Sequence, residues 1–119
     1  MAVKRIVCNI STPQPDAAFS FYGEVLGLEV AMDHGWIKTF AAPEVVIAPQ
    51  ISIASEGGSG TAVPDLSIEV DDLDEVLNRA KAAGLDIEYG PQNEPWGVRR
   101  FYVRDPFGNL VNVLTHSVE

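Results

Sequence analysis

The chain has 119 residues, 46% of them apolar and 21% charged, which bounds it to one compact domain of ordinary globular composition. A net charge of −9 argues against a nucleic-acid partner, because phosphate binding needs clustered cations; it is read first as keeping the protein in solution and is compatible with a neutral or cationic ligand. The single cysteine, Cys8, excludes an intrachain disulfide. Without an apolar secretory run or a stretch near ~18 apolar residues, the expected setting is the cytoplasm, with no membrane partner.

Lys4 to Ser11 alternates Ile6, Cys8 and Ile10 with polar neighbours and predicts a first strand, with Cys8 as a buried strand thiol. Pro13 and Pro15 close it. Phe21, Val25 and Leu28 then follow a helical spacing, which predicts a helix over Ala17 to Leu26 ended by Gly27. Short strands follow at Leu28 to Met32, Trp36 to Ala41 and Val45 to Ala54, the last interrupted by Pro49. A Gly/Ser link at residues 57–60 separates two modules, about 1–56 and about 61–119.

The second module repeats the order. Asp65 to Val70 is a two-faced strand, Asp71 or Asp72 caps a helix to Ala83, and Gly84 ends it. Leu85 to Tyr89 is expected as a strand, Gly90 to Gly97 as a loop, and Val98 to Arg104 and Leu110 to Thr115 as a final hairpin. Gly27-Leu28-Glu29-Val30 after the first helix answers Gly84-Leu85-Asp86-Ile87 after the second. The expected fold is therefore α+β. Two βαβββ modules form a curved, partly closed mixed sheet around a ligand cavity, with the helices outside.

Three stretches carry a family resemblance. Phe21-Tyr22-Gly23-Glu24-Val25-Leu26-Gly27-Leu28, Leu66-Ser67-Ile68-Glu69-Val70-Asp71-Asp72 and Asp105-Pro106-Phe107-Gly108-Asn109 stand in the order seen in the glyoxalase/bleomycin-resistance/dioxygenase (vicinal oxygen chelate) superfamily, which this chain resembles. The resemblance implies a divalent metal held by His, Glu or Gln on the first and last strands of each module. The matching positions here are Arg5 to Val7, Ser52 with Gln50 nearby, Asp65 and Asn112. One carboxylate beside Arg, Ser and Asn is a poor donor set for a divalent ion. His34 falls in an expected turn and His116 after the last strand.

Strand parity nominates Asp65, Arg100, Tyr102 and Asn112 as inward polar residues, with Trp36, Phe40 and Trp96 as aromatic walls. Arg100 would hold a ligand carboxylate or phenolate, or neutralise Asp65 or Glu69. The leading reading is a non-catalytic, cofactor-free protein of the bleomycin-resistance type. It binds a small aromatic or cationic molecule and assembles as a homodimer. The alternatives are a metal-dependent lyase, isomerase or dioxygenase using Asp65, Gln50 and His116, and an interaction module without a small ligand.

Overall fold

The computed structural model describes residues 2–43 and 49–116. The chain divides into two compact units, Val7–Val63 and a second comprising Met1–Ile6 with Pro64–Glu119.

In the first unit, β1 (Val3–Ser11, from Val7 onward), β2 (Glu29–Asp33), β3 (Ile37–Ala41) and β4 (Gln50–Ala54) take the order β2-β3-β4-β1. The β1/β4 pair is parallel, with Asn9 opposite Ser52, and the other pairs are antiparallel. A parallel pair needs a crossover, which the segment between β1 and β2 begins. That segment was expected as an α-helix over Ala17 to Leu26. It is instead a 3₁₀ turn, Pro15–Ala18, running into a π-helix, Phe19–Val25. The Phe19 ring lies against Gly23, where a Cβ would stand 2.4 Å from the ring, so this turn leaves room for the ring only beside glycine. The Leu26 N–H reaches back five residues to the Phe21 carbonyl at 3.1 Å. Lys38 of β3 ties this segment to the sheet through Asp16 at 2.9 Å and also meets Asp33 of β2 at 2.7 Å.

In the second unit the order is β1-β5-β8-β7-β6, with β5 (Leu66–Val70), β6 (Tyr89–Asn93), β7 (Val98–Arg104) and β8 (Leu110–His116). The β5/β8 pair is parallel, and β8/β7 and β7/β6 are antiparallel. Between β5 and β6 runs α1 (Leu73–Ala82). Asp72 caps it by accepting the Glu75 N–H at 3.1 Å. Gly84, at φ +79°, closes it in a Schellman motif with Leu85 N–H on the Ala80 carbonyl and Gly84 N–H on that of Lys81. Leu73 and Leu77 of α1 pack on Val70, Phe101, Val103, Val111 and Val113, alternate residues that share one face of the sheet.

The expectation of a partly closed sheet around a cavity is corrected. The eight strands follow one open order, β2-β3-β4-β1-β5-β8-β7-β6, in which β2 and β6 are ends; the sheet is mixed and not closed. Two local expectations also change, and a third is described only in part. The strand expected at Leu85 to Tyr89 lies four residues later, at Tyr89–Asn93, inside what composition marked as a loop. Cys8 is exposed rather than buried. Of the strand expected over Val45 to Ala54, Gln50–Ala54 is present, and residues 44–48 lie outside the described residues. Among the described residues no helix is long and apolar enough to cross a membrane.

The turn joining β7 to β8 gives a first prediction. Asp105 accepts the backbone N–H groups of Phe107 and Asn109 and the Asn109 side-chain amide, each at 2.9 Å. The Asn109 amide foremost, then these backbone groups, hold its carboxyl below the usual 3.8. Asp33 is held below 3.8 chiefly by the Lys38 ammonium. In both cases the unfolded chain takes up protons at a higher pH than the folded one. Their stabilisation is therefore complete above the unfolded value and is lost as pH falls through the folded values. The urea midpoint should drop as pH is lowered from about 5 toward 2, and Asp105→Asn should flatten that dependence.

Candidate functional site

The residues that combine charge, aromaticity and burial gather on the face of the second unit's sheet opposite α1. The β6/β7 hairpin builds most of the cluster. Its turn runs Glu94-Pro95-Trp96-Gly97, closed by Glu94 N–H on the Val98 carbonyl at 2.7 Å and Gly97 N–H on the Glu94 carbonyl at 3.1 Å. Pro95 sets the second turn position and Gly97 takes φ +94°. This leaves Trp96 at the third, with its ring 5.0 Å from Arg100 Cζ.

Upstream, a bulge between Tyr89 and Gln92 keeps Tyr89 paired with Tyr102. Gly90 permits it. The backbone there has φ +81°, and a Cβ would stand 2.5 Å from the Arg100 carbonyl oxygen, so any side chain would collide with the neighbouring strand.

Arg100 is the centre of the cluster and only 3% exposed. Its Nε donates to Glu94 Oε2 at 2.7 Å, and its Nη1 donates to the Tyr102 hydroxyl at 2.9 Å. The Tyr89 hydroxyl donates to the same Glu94 oxygen at 2.7 Å. The rings of Tyr89, Trp96 and Tyr102 stand 5.3, 5.0 and 5.0 Å from the guanidinium carbon. One cation is thus balanced by one carboxylate and enclosed by three π faces, an arrangement that suits a desolvated guanidinium.

The next row of the same face joins Ser67, Asn112 and Tyr102, which are cross-strand partners. Asn112 is 7% exposed. Its Nδ2 donates to Ser67 Oγ at 3.1 Å. Its Oδ1 is buried and finds no hydrogen-bond partner among the described residues. Further along, Glu69 is met by Arg5 at 3.1 Å, Lys4 at 4.0 Å and His116 Nδ1 at 2.8 Å.

The other sequence-nominated residues lie elsewhere. Asp65 is exposed and accepts the Leu110 N–H at 2.8 Å, fastening the start of β8. Phe40 is fully buried in the first unit, 5.8 Å from the Tyr22 ring of the π-helix. Trp36 precedes β3 and stacks on His34 at 6.1 Å. Arg100, Tyr102, Trp96 and Asn112 are therefore brought to one face, whereas Phe40 and Trp36 belong to the first unit. Sequence reasoning missed Glu94 and Tyr89 because both fell within or beside the supposed loop. The signal was the hairpin itself, whose turn at Pro95 to Gly97 sets Glu94 back toward Arg100.

The four positions where a divalent ion would be held do not fit one. Arg5 is a cation engaged by Glu69, and Ser52 shares a 2.7 Å hydrogen bond with Thr39. Asp65 is committed to backbone, and Asn112 offers one neutral oxygen. Among the described residues no group of three or more His, Cys, Asp and Glu could hold a metal ion. On the α1 face, Leu85, Val103, Pro106 and Val111 line a shallow hollow of about 410 Å³, bordered by Arg104 and Asp105. It lacks buried polar groups converging on one point, which the opposite face has.

The sequence pattern of the glyoxalase/bleomycin resistance protein/dioxygenase superfamily matches residues 4–113, nearly the whole chain. The chain belongs to that superfamily. No curated protein matches the sequence. Solved structures agree on the fold at low identity. An NAD-dependent benzaldehyde dehydrogenase from Legionella pneumophila superposes with a TM-score of 0.76 at 14% identity, over 95% of this chain and 100% of the other. A methylmalonyl-CoA epimerase from Mycobacterium tuberculosis gives 0.62 at 16%, over 98% and 88%. A glyoxalase/bleomycin resistance protein/dioxygenase superfamily member from Vibrio splendidus 12B01 gives 0.58 at 17%, over 97% and 99%. Identities this low speak to the fold of this superfamily member and not to its substrate.

Proposed function

We propose that this superfamily member is a metal-free binding protein for a small aromatic or cationic molecule, held on the second unit's face around Arg100, Tyr102, Trp96 and Asn112. The observation that carries the reading is the buried, unpaired Oδ1 of Asn112 beside this aromatic cluster. An acceptor left unmade in the interior costs about 1–3 kcal/mol, and such a cost is tolerated where a ligand relieves it. The Trp96 ring at the hairpin tip supplies a surface for a planar molecule. The net charge of −9 favours a cationic ligand over an anionic one.

The cytoplasm and a homodimer complete the proposal. Phe19, Phe21, Val25 and Leu26 are exposed around the π-helix, which buries none of its residues, and a second copy would cover such a surface. Sedimentation at micromolar concentration should give a dimer.

The test is calorimetric titration with phenol and benzylammonium of protein purified without chelator, alongside elemental analysis of the same sample. Saturable binding with no stoichiometric divalent metal is expected. A tightly held stoichiometric metal would overturn the reading in favour of a metal-dependent enzyme. The interaction-module reading has one observation in its favour, the near-complete burial of Arg100, Tyr102, Leu110, Asn112 and Leu114, and absence of binding by either compound would select it.

A further inference from the structure

We infer that the ligand is an aromatic molecule carrying an N–H or O–H donor, read by Asn112 Oδ1, and that carboxylates are refused although an arginine stands beside the site. The inference rests on the binding reading above and narrows it to a ligand class.

Two observations combine. The first is that Arg100 is already satisfied as a cation. Glu94 takes its Nε at 2.7 Å, Tyr102 takes its Nη1 at 2.9 Å, and three rings stand within 5.3 Å of its carbon. An incoming carboxylate would have to displace Glu94, leaving that anion buried and unpaired, since the Glu94 side chain is only 2% exposed. Such an exchange is strongly unfavourable. Arg100 is therefore a positioning residue: it holds the Tyr102 hydroxyl and orients the aromatic wall.

The second observation is the state of Asn112. Its amide nitrogen is committed to Ser67 Oγ, its residue neighbours across the strands are Ser67 and Tyr102, and its oxygen has no partner among the described residues. A carbonyl oxygen accepts only, so the group that completes it is a donor. A carboxylate would bring a second set of lone pairs against it. Oδ1 lies below the surface, so binding there requires the side chains above it to move. The polar requirement of the site thus falls on the asparagine, which stands where relatives of this fold are expected to place a metal ligand.

The experiment compares phenol, anisole and benzoate on the wild-type protein and on Asn112→Leu. These compounds share a ring and differ in offering a donor, no donor, or a negative charge. Phenol should bind the wild type about tenfold or more tightly than anisole, the discrimination expected when a buried acceptor goes unpaired, and benzoate should bind more weakly than either. In Asn112→Leu the phenol preference should vanish. Equal binding of phenol and anisole to the wild type, or tighter binding of benzoate, overturns this inference and leaves the binding reading standing. Failure of all three compounds to bind overturns both. The wild-type comparison decides the matter even if the variant folds poorly.

Discussion

Arg100→Met lowers the stability of the second unit by about 3–5 kcal/mol, the loss expected when one partner of a buried ion pair is removed and the other remains charged. The partner is Glu94, 2.7 Å away and as deeply buried as the arginine. Glu94→Leu should cost a similar amount, since it strands the guanidinium among three rings with no counter-charge. The double substitution should cost far less than the sum, because two apolar side chains of comparable bulk replace the pair and no buried charge is left. Urea unfolding of the four proteins closes the cycle. Arg100→Lys should fall between wild type and Arg100→Met: it keeps the charge but loses the planar fork that serves Glu94 and Tyr102 together. Additive single effects would mean that the two side chains do not act as a pair.

Phe101→Ala should cost about 3–5 kcal/mol, the range for emptying an aromatic-sized volume in a packed core. Phe101 is fully buried and sits between α1 and the sheet, in one cluster with Leu73, Leu77 and Val113. Phe107, at the tip of the turn after β7, is 86% exposed, and Phe107→Ala should change stability by no more than about 0.5 kcal/mol. The contrast separates two residues six positions apart that composition alone treats alike. Thermal unfolding of both variants checks it, and a small loss for Phe101→Ala would mean that the α1 face is not the packed core of this unit.

Elements marked by strong local chemistry were legible in the sequence. The alternation in Val98 to Arg104 and Leu110 to Thr115 defined two strands and their two faces, because a period of two places every second side chain together; His116, expected after the last strand, is its final residue. The acidic cap and closing glycine framed α1, and Asp105 to Asn109 declared its turn. The repeated helix-end motif disclosed the duplicated order. Three features stayed hidden because the residue pattern within each segment does not decide them. The stretch Tyr89 to Asn93 contains Gly90 and Pro91, which read as a loop, yet pairing with β7 makes it an edge strand with a bulge. The segment Phe19–Val25 has the apolar spacing of a helix, and that spacing does not state whether the α or the wider π hydrogen-bond pattern forms. Whether the sheet closes depends on the pairing of its end strands, and no residue pattern within a strand states that.

The candidate site divides in the same way. Arg100, Tyr102 and Asn112 followed from parity on two regular strands, and Trp96 from its place between Pro95 and Gly97. Glu94 and Tyr89 required the hairpin to be known. With Glu94 in place Arg100, left open between holding a ligand anion and neutralising Asp65 or Glu69, becomes one half of a sealed pair with Glu94, and the unpaired oxygen of Asn112 becomes the group that a ligand would address.

The most direct test of the binding proposal is a titration of nitrogen-15-labelled protein with phenol, followed by NMR at three side chains: the Asn112 amide, the Trp96 indole and the Trp36 indole. The account predicts saturable shifts at Asn112 and Trp96 with one shared affinity, and an unmoved Trp36. Shifts confined to Trp36, or none at Asn112 and Trp96 up to the solubility of phenol, would contradict it.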